Sequence, residues 1–120
     1  MSIDVSSATL RQDVERLIQS VSETTILPRY KSLAKEEIKT KSGPGDLVTI
    51  ADEEAEQKLA AGLVALLPDS MVIGEEAAAT DPAVLDLLTR PGAVWIIDPI
   101  DGTSNFVAGR DAFGVIVALV

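Results

Sequence analysis

Cysteine and histidine are both absent from the 120 residues. Without cysteine there can be no disulfide, thiolate metal site or thiol nucleophile. Without histidine, Ser-His-Asp and Cys-His catalysis are excluded, together with the commonest zinc ligand. Any metal must be held by oxygen, which points to a hard cation such as Mg²⁺, Mn²⁺ or Ca²⁺. Positive charge is scarce: 10 Lys+Arg face 19 Asp+Glu, a net of −9. That excess argues against a nucleic-acid backbone or an anionic membrane as the main partner. Long hydrophobic runs are missing too. The longest uncharged apolar stretch, Leu59 to Leu67, is far too short to cross a bilayer. The N-terminal M-S-I-D-V-S-S has neither a basic nor an apolar signal region, so a soluble cytoplasmic protein is expected.

What remains has an ordinary globular balance, 47% hydrophobic and 24% charged, and a length that suits one domain. The charge is unevenly placed. Residues 1–43 carry seven basic and six acidic side chains; residues 44–120 carry three and thirteen. Chemistry is therefore sought in the acidic part.

Leu10, Val14, Leu17, Ile18 and Val21 mark one face of a helix, with Ser6 or Ser7 as its cap and Pro28 as its stop. Ala34 to Thr40 reads as a strand, and Ser42 to Asp46 as a loop. Leu47-Val48-Thr49 leads into a second helix that runs to about Leu67. Thr49 and Asp52 have capping-box spacing there, and Ala55, Leu59, Leu63 and Leu66 form its apolar face. Met71 to Ile73 is a short strand closed by Gly74. Pro82 opens a short helix, Arg90-Pro91-Gly92 is a turn, and Ala93 to Ile97 and Phe113 to Val120 are apolar strands. Long helices alternating with short strands give an α/β or α+β domain. Val120 falls inside an apolar, β-branched strand, which leads to the expectation of a truncated chain with an open strand edge.

Three segments carry candidate chemistry. In W-I-I-D-P-I-D-G-T-S-N-F, from Trp95 to Phe106, a strand delivers Asp98 and Asp101 follows three residues later. Two carboxylates so placed can converge on one cation or bridge two, with the Ile100 carbonyl between them as a further hard ligand. Pro99 is expected to stiffen the turn and Gly102 to permit close backbone approach. Gly102, Thr103 and Ser104 offer N–H groups and hydroxyls suited to a phosphate at a helix N-terminus. The second segment is Gly74-Glu75-Glu76, whose first glutamate reaches the same cation if its strand neighbours that of Asp98. Two adjacent glutamates at a strand end are more often simply solvated. The third, D-L-V-T-I-A-D, places Asp52 in the first turn of a helix, where the helix dipole favours a carboxylate and plain capping would also suffice.

These three strings, in this order and at this spacing, resemble the inositol monophosphatase family of lithium-sensitive, Mg²⁺-dependent phosphatases. The resemblance runs from the first helix to the last strand. It implies a layered sandwich whose first half packs long helices on a mainly antiparallel sheet. It implies that Glu75, Asp98 and the Ile100 carbonyl ligate one Mg²⁺ and that Asp98 and Asp101 share a second. Glu75 and Thr103 would orient the attacking water, with Asp52 supporting them through hydrogen bonds or a further, weaker metal site, so that the complete enzyme would use two or three Mg²⁺ ions. The N–H groups of Gly102, Thr103 and Ser104 would hold the phosphate, and Lys41 matches a basic residue often found before the loop. Family members are about twice as long, and their second half supplies a further aspartate ligand and most substrate recognition. The 120 residues are thus expected to be the N-terminal portion of such a domain, inactive alone.

The expected function is hydrolysis of an inositol phosphate or a related small polyol phosphate by a metal-activated water. Alternatives are a histidinol-phosphate or 3′-phosphonucleotide phosphatase of the same superfamily, or a non-catalytic metal-binding or interaction module. Asn105-Phe106 leans toward the inositol branch. A homodimer or self-association is expected, with no nucleic-acid or membrane partner.

Overall fold

The computed structural model describes residues 8–40, 47–89 and 92–120. Helix α1 is Ala8–Val21. Its stripe behaves as the periodicity demands: Leu10 and Val21 are buried, and Val14, Leu17 and Ile18 pack at the margin of the core. Ser6 and Ser7 lie outside the described residues. After Val21 the helix loosens into a π turn, Ser22–Ile26, and ends in a 3-10 turn, Leu27–Arg29, that contains Pro28.

The strand expected from Ala34 is shorter. Lys35–Glu37 form a 3-10 turn, and strand β1 is only Ile38–Thr40. The reason is local. The Glu37 carboxylate accepts the Ala34 N–H at 2.8 Å, a bond that an extended chain could not make. Strand β2, Leu47–Thr49, runs antiparallel to β1 with Ile38 opposite Thr49. The expected loop from Ser42 to Asp46 is outside the described residues, as is Lys41.

Helix α2, Ile50–Leu66, follows β2 without a linker. Ala51, Ala55, Leu59 and Leu63, four residues apart along one face, are completely buried. Strand β3, Met71–Gly74, passes straight into helix α3, Glu75–Thr80. The Pro82–Thr89 segment is 3-10 rather than α-helical. Arg90 and Pro91 of the expected turn lie outside the described residues.

Strand β4, Val94–Asp101, extends four residues beyond the apolar run that announced it. Pro99 lies inside the strand rather than in a turn. It is tolerated because the β4–β5 register slips between Asp98 and Asp101, so the ladder asks no N–H of it. Helix α4 is Thr103–Val107 and strand β5 is Gly114–Leu119. The sheet order is β3-β4-β5, with β3 parallel to β4 and β4 antiparallel to β5. The sheet is therefore mixed. The β3–β4 connection is a crossover through α3 and the Pro82–Thr89 helix, which is what a parallel pair requires.

One face of this sheet is covered by α2, against which α1 packs. Trp95, Ile97, Ile100 and Phe106 join Leu10, Ile26, Leu59 and Leu63 in a single buried cluster. The Trp95 indole donates to Ser70 Oγ at 3.1 Å, so its one polar atom is satisfied. Tyr30, Phe106 and Phe113 form a ring trio with centroids 5.0 to 5.8 Å apart. The Tyr30 hydroxyl donates to the Gly109 carbonyl at 2.8 Å, tying the α4–β5 connection to the N-terminal segment. Ile96 and Ile116, on the other face, are exposed.

Candidate metal and phosphate site

The site is assembled where β3 and β4 end side by side. Gly74 is the register partner of Ile97, so Glu75, just past the end of β3, and Asp98 on β4 are the residues that follow this pair. This meets the condition on which Glu75 could share a cation with Asp98. Glu75 starts α3 and is exposed; Asp98 is half-buried in β4. Their carboxyls are hydrogen-bonded to each other. Burial, this bond to Glu75 and the nearby charges of Glu75, Asp101 and Asp52 push the Asp98 carboxyl up to about 7.

Asp101 closes β4 and is exposed, while Ile100 is buried with its carbonyl oxygen 3.0 Å from Thr103 Oγ1. Gly102 adopts φ +90, and a side chain there would meet the Ala112 carbonyl at 2.7 Å. Only glycine fits both demands. This turn starts α4, so the N–H groups of Thr103 and Ser104 fall in its first helical turn, where no intrahelical acceptor exists.

Asp52 is fully buried at the third position of α2. Its Oδ2 accepts from the Thr49 N–H at 2.8 Å and from Thr49 Oγ1 at 2.7 Å. Its Oδ1 accepts from Thr103 Oγ1 at 3.0 Å, across 51 positions of sequence. Asp52 is therefore more than a cap. It is the link between α2 and the residue after the Asp98-Asp101 turn, and the Thr103 hydroxyl, donating inward, turns its oxygen lone pairs outward.

Glu75, Asp98, Ile100, Asp101, Gly102, Thr103 and Asp52 are thus all in one region, and Ser104 is exposed at its rim. Among the described residues no three acidic side chains yet converge to ligating distance; Glu75 and Asp98 are the close pair. The donor set nevertheless suits a hard cation. Asp98 Oδ1 is buried, meets no hydrogen-bond donor, and sits among other carboxylates. Oxygen-only, negatively charged and short of donors, such a place is satisfied by a cation or a proton.

Sequence reasoning missed Glu56. Its two oxygens accept the N–H groups of Glu76 (2.7 Å) and Ala77 (2.9 Å) at the start of α3. The available signal was its spacing, four residues after Asp52 on the same face of α2.

The sequence matches the inositol monophosphatase family over residues 10–120. The chain belongs to the inositol monophosphatase family. It is 42% identical over 81 residues to an inositol-1-monophosphatase of Mycobacterium leprae, covering 68% of this chain and 27% of that protein. An inositol-1-monophosphatase of Bacillus subtilis is 32% identical over 116 residues, covering 97% of this chain and 38% of the relative. The structure of the Thermotoga maritima IMPase superposes with a TM-score of 0.74 at 28% identity, covering 95% of this chain and 40% of that one. The chain thus spans well under half the length of these relatives.

Proposed function

We propose that these residues form the metal- and phosphate-binding side of a Mg²⁺-dependent phosphomonoesterase acting on inositol phosphate or a related small polyol phosphate. The observation that carries this reading is the Asp98 carboxyl, with one oxygen buried and lacking a donor, set against Glu75 and beside the Asp52–Thr103 link. Glu75, Asp98 and the Ile100 carbonyl would hold one Mg²⁺, and Asp98 with Asp101 a second. When bound, Mg²⁺ supplies Lewis acidity, lowering the pKa of nearby water and neutralising charge on the phosphoryl group. Thr103, its hydroxyl hydrogen directed toward Asp52, accepts from the attacking water and aims it, with Glu75 on the other side. The first N–H groups of α4 and that of Gly102 hold the phosphate oxygens, a task that basic side chains would otherwise perform. The same reading carries a cytoplasmic location and a homodimer, and the net charge of −9 speaks against a nucleic-acid partner.

The test is phosphate release from inositol 1-phosphate by the full-length gene product, with and without Mg²⁺. Asp98→Asn should lower kcat/KM by more than about tenfold, over ~1.4 kcal/mol of transition-state stabilisation. Asp52→Asn should be milder, because it acts through Thr103. Lithium should inhibit. Retention of most activity by Asp98→Asn, or turnover independent of Mg²⁺, would contradict the assignment.

A further inference from the structure

Helix α2 contributes two carboxylates to the region, one helical turn apart. Asp52 faces α4 through Thr103, and Glu56 faces α3. Glu56 Oε1 accepts the Glu76 N–H at 2.7 Å and Oε2 accepts the Ala77 N–H at 2.9 Å. Both bonds are charge-assisted and bridge 20 and 21 positions of sequence, so they join α2 to α3 rather than capping a helix from within. Gly74 makes room for them. A Cβ at that position would collide with the carboxylate carbon and both oxygens of Glu56. The backbone of Gly74 is ordinary and extended, φ −99 and ψ 150, so glycine is needed there for space and not for conformation. Glu75 lies between the two halves of this arrangement: Gly74 before it is the floor under the carboxylate, and Glu76 after it gives the first hydrogen bond.

We propose that Glu56 is a positioning residue for the cation site: seated on Gly74, it fixes the first turn of α3 and so sets where Glu75 stands relative to Asp98. The inference rests on the reading that Glu75 and Asp98 hold a divalent cation. Helix α2, buried along Ala51, Ala55, Leu59 and Leu63, then acts as one rigid rail that places both sides of the site.

The experiment titrates this chain with Mn²⁺, followed by water-proton relaxation, with the thermal midpoint measured in parallel. The variants are Glu56→Ala, Glu56→Gln, Gly74→Ala, the Glu56→Ala/Gly74→Ala double and, as a reference, Glu75→Gln. Groups that orient a metal ligand typically change affinity by about 10- to 100-fold when removed. Glu56→Ala and Gly74→Ala should each raise the Mn²⁺ Kd about tenfold in protein that remains folded. The double should be no worse than either single, because both remove one and the same contact. Glu56→Gln, which keeps one acceptor, should fall between and covers the case in which Glu56→Ala does not fold. An unchanged Kd in folded Glu56→Gln and Gly74→Ala, beside a weakened Glu75→Gln, overturns the proposal and leaves the cation site standing. Equal Kd values for the native chain, Glu75→Gln and the Glu56 variants overturn the cation site, and the proposal with it.

Discussion

A carboxyl whose ordinary pKa is 3.8 is held up to about 7 at Asp98, by burial first and then by its bond to Glu75 and the charges around it. The folded chain therefore binds this proton more tightly than the unfolded chain. Between the two values stability falls as pH rises, and the penalty is complete above pH 7. The side chain proposed to bind the cation thus strains the fold when it is charged and unpartnered. With chelator present, Asp98→Asn should stabilise the chain at pH 8 by on the order of 2 kcal/mol, after discounting for solvent screening. The advantage should shrink toward zero below about pH 3, where Asp98 is protonated in both states. Urea unfolding at the two pH values checks this; a variant weaker than the native chain at pH 8 would count against it. Gly102 is the second demanding position. Gly102→Ala meets a positive φ and the Ala112 carbonyl together, and should lower stability by about 2 kcal/mol in the same assay.

At the scale of elements, α2 organises the site and its start is the sensitive point. Thr49 caps the helix and gives Asp52 two of its hydrogen bonds. Thr49→Ala keeps the N–H bond and loses the hydroxyl, leaving a buried carboxylate less well satisfied. A loss of about 1–2 kcal/mol in urea unfolding is expected, with Thr49→Ser restoring most of it. The Thr49–Asp52 pair was readable from sequence because both partners lie within one helical turn. Glu56 was not, since its partners are main-chain N–H groups on another element. Helix α3 also escaped notice: E-E-A-A-A-T offers no large apolar residue to show a period, and its first turn is held from outside by Glu56. The extension of β4 through Pro99 was hidden because a proline inside a strand is unremarkable only where the ladder slips, and the slip is a tertiary fact. The neighbouring of Glu75 and Asp98 was legible only as a condition. It needed β3 and β4 to be adjacent and in parallel register.

At the scale of the whole molecule, one sheet face is covered by helices and the other is exposed at Ile96 and Ile116. Ile116 is 50% exposed and Ile96 36%, and β5 stands at the edge of the described sheet. F-G-V-I-V-A-L-V carries no charge and no proline to guard that edge, and the net charge of −9 is screened beyond ~8 Å at physiological salt. The chain should self-associate at tens of micromolar, and Ile116→Lys should shift it toward monomer in sedimentation. A native chain that is cleanly monomeric would show the edge to be protected.

The central claim is that the ends of β3 and β4 together hold a divalent cation beside the start of α4. It is tested most directly by following the backbone amides of this chain by NMR as Mg²⁺ is added. The account predicts millimolar-range shifts centred on residues 74–76 and 98–103, absent in Asp98→Asn. Shifts that survive Asp98→Asn, or that fall elsewhere on the acidic surface, would contradict it.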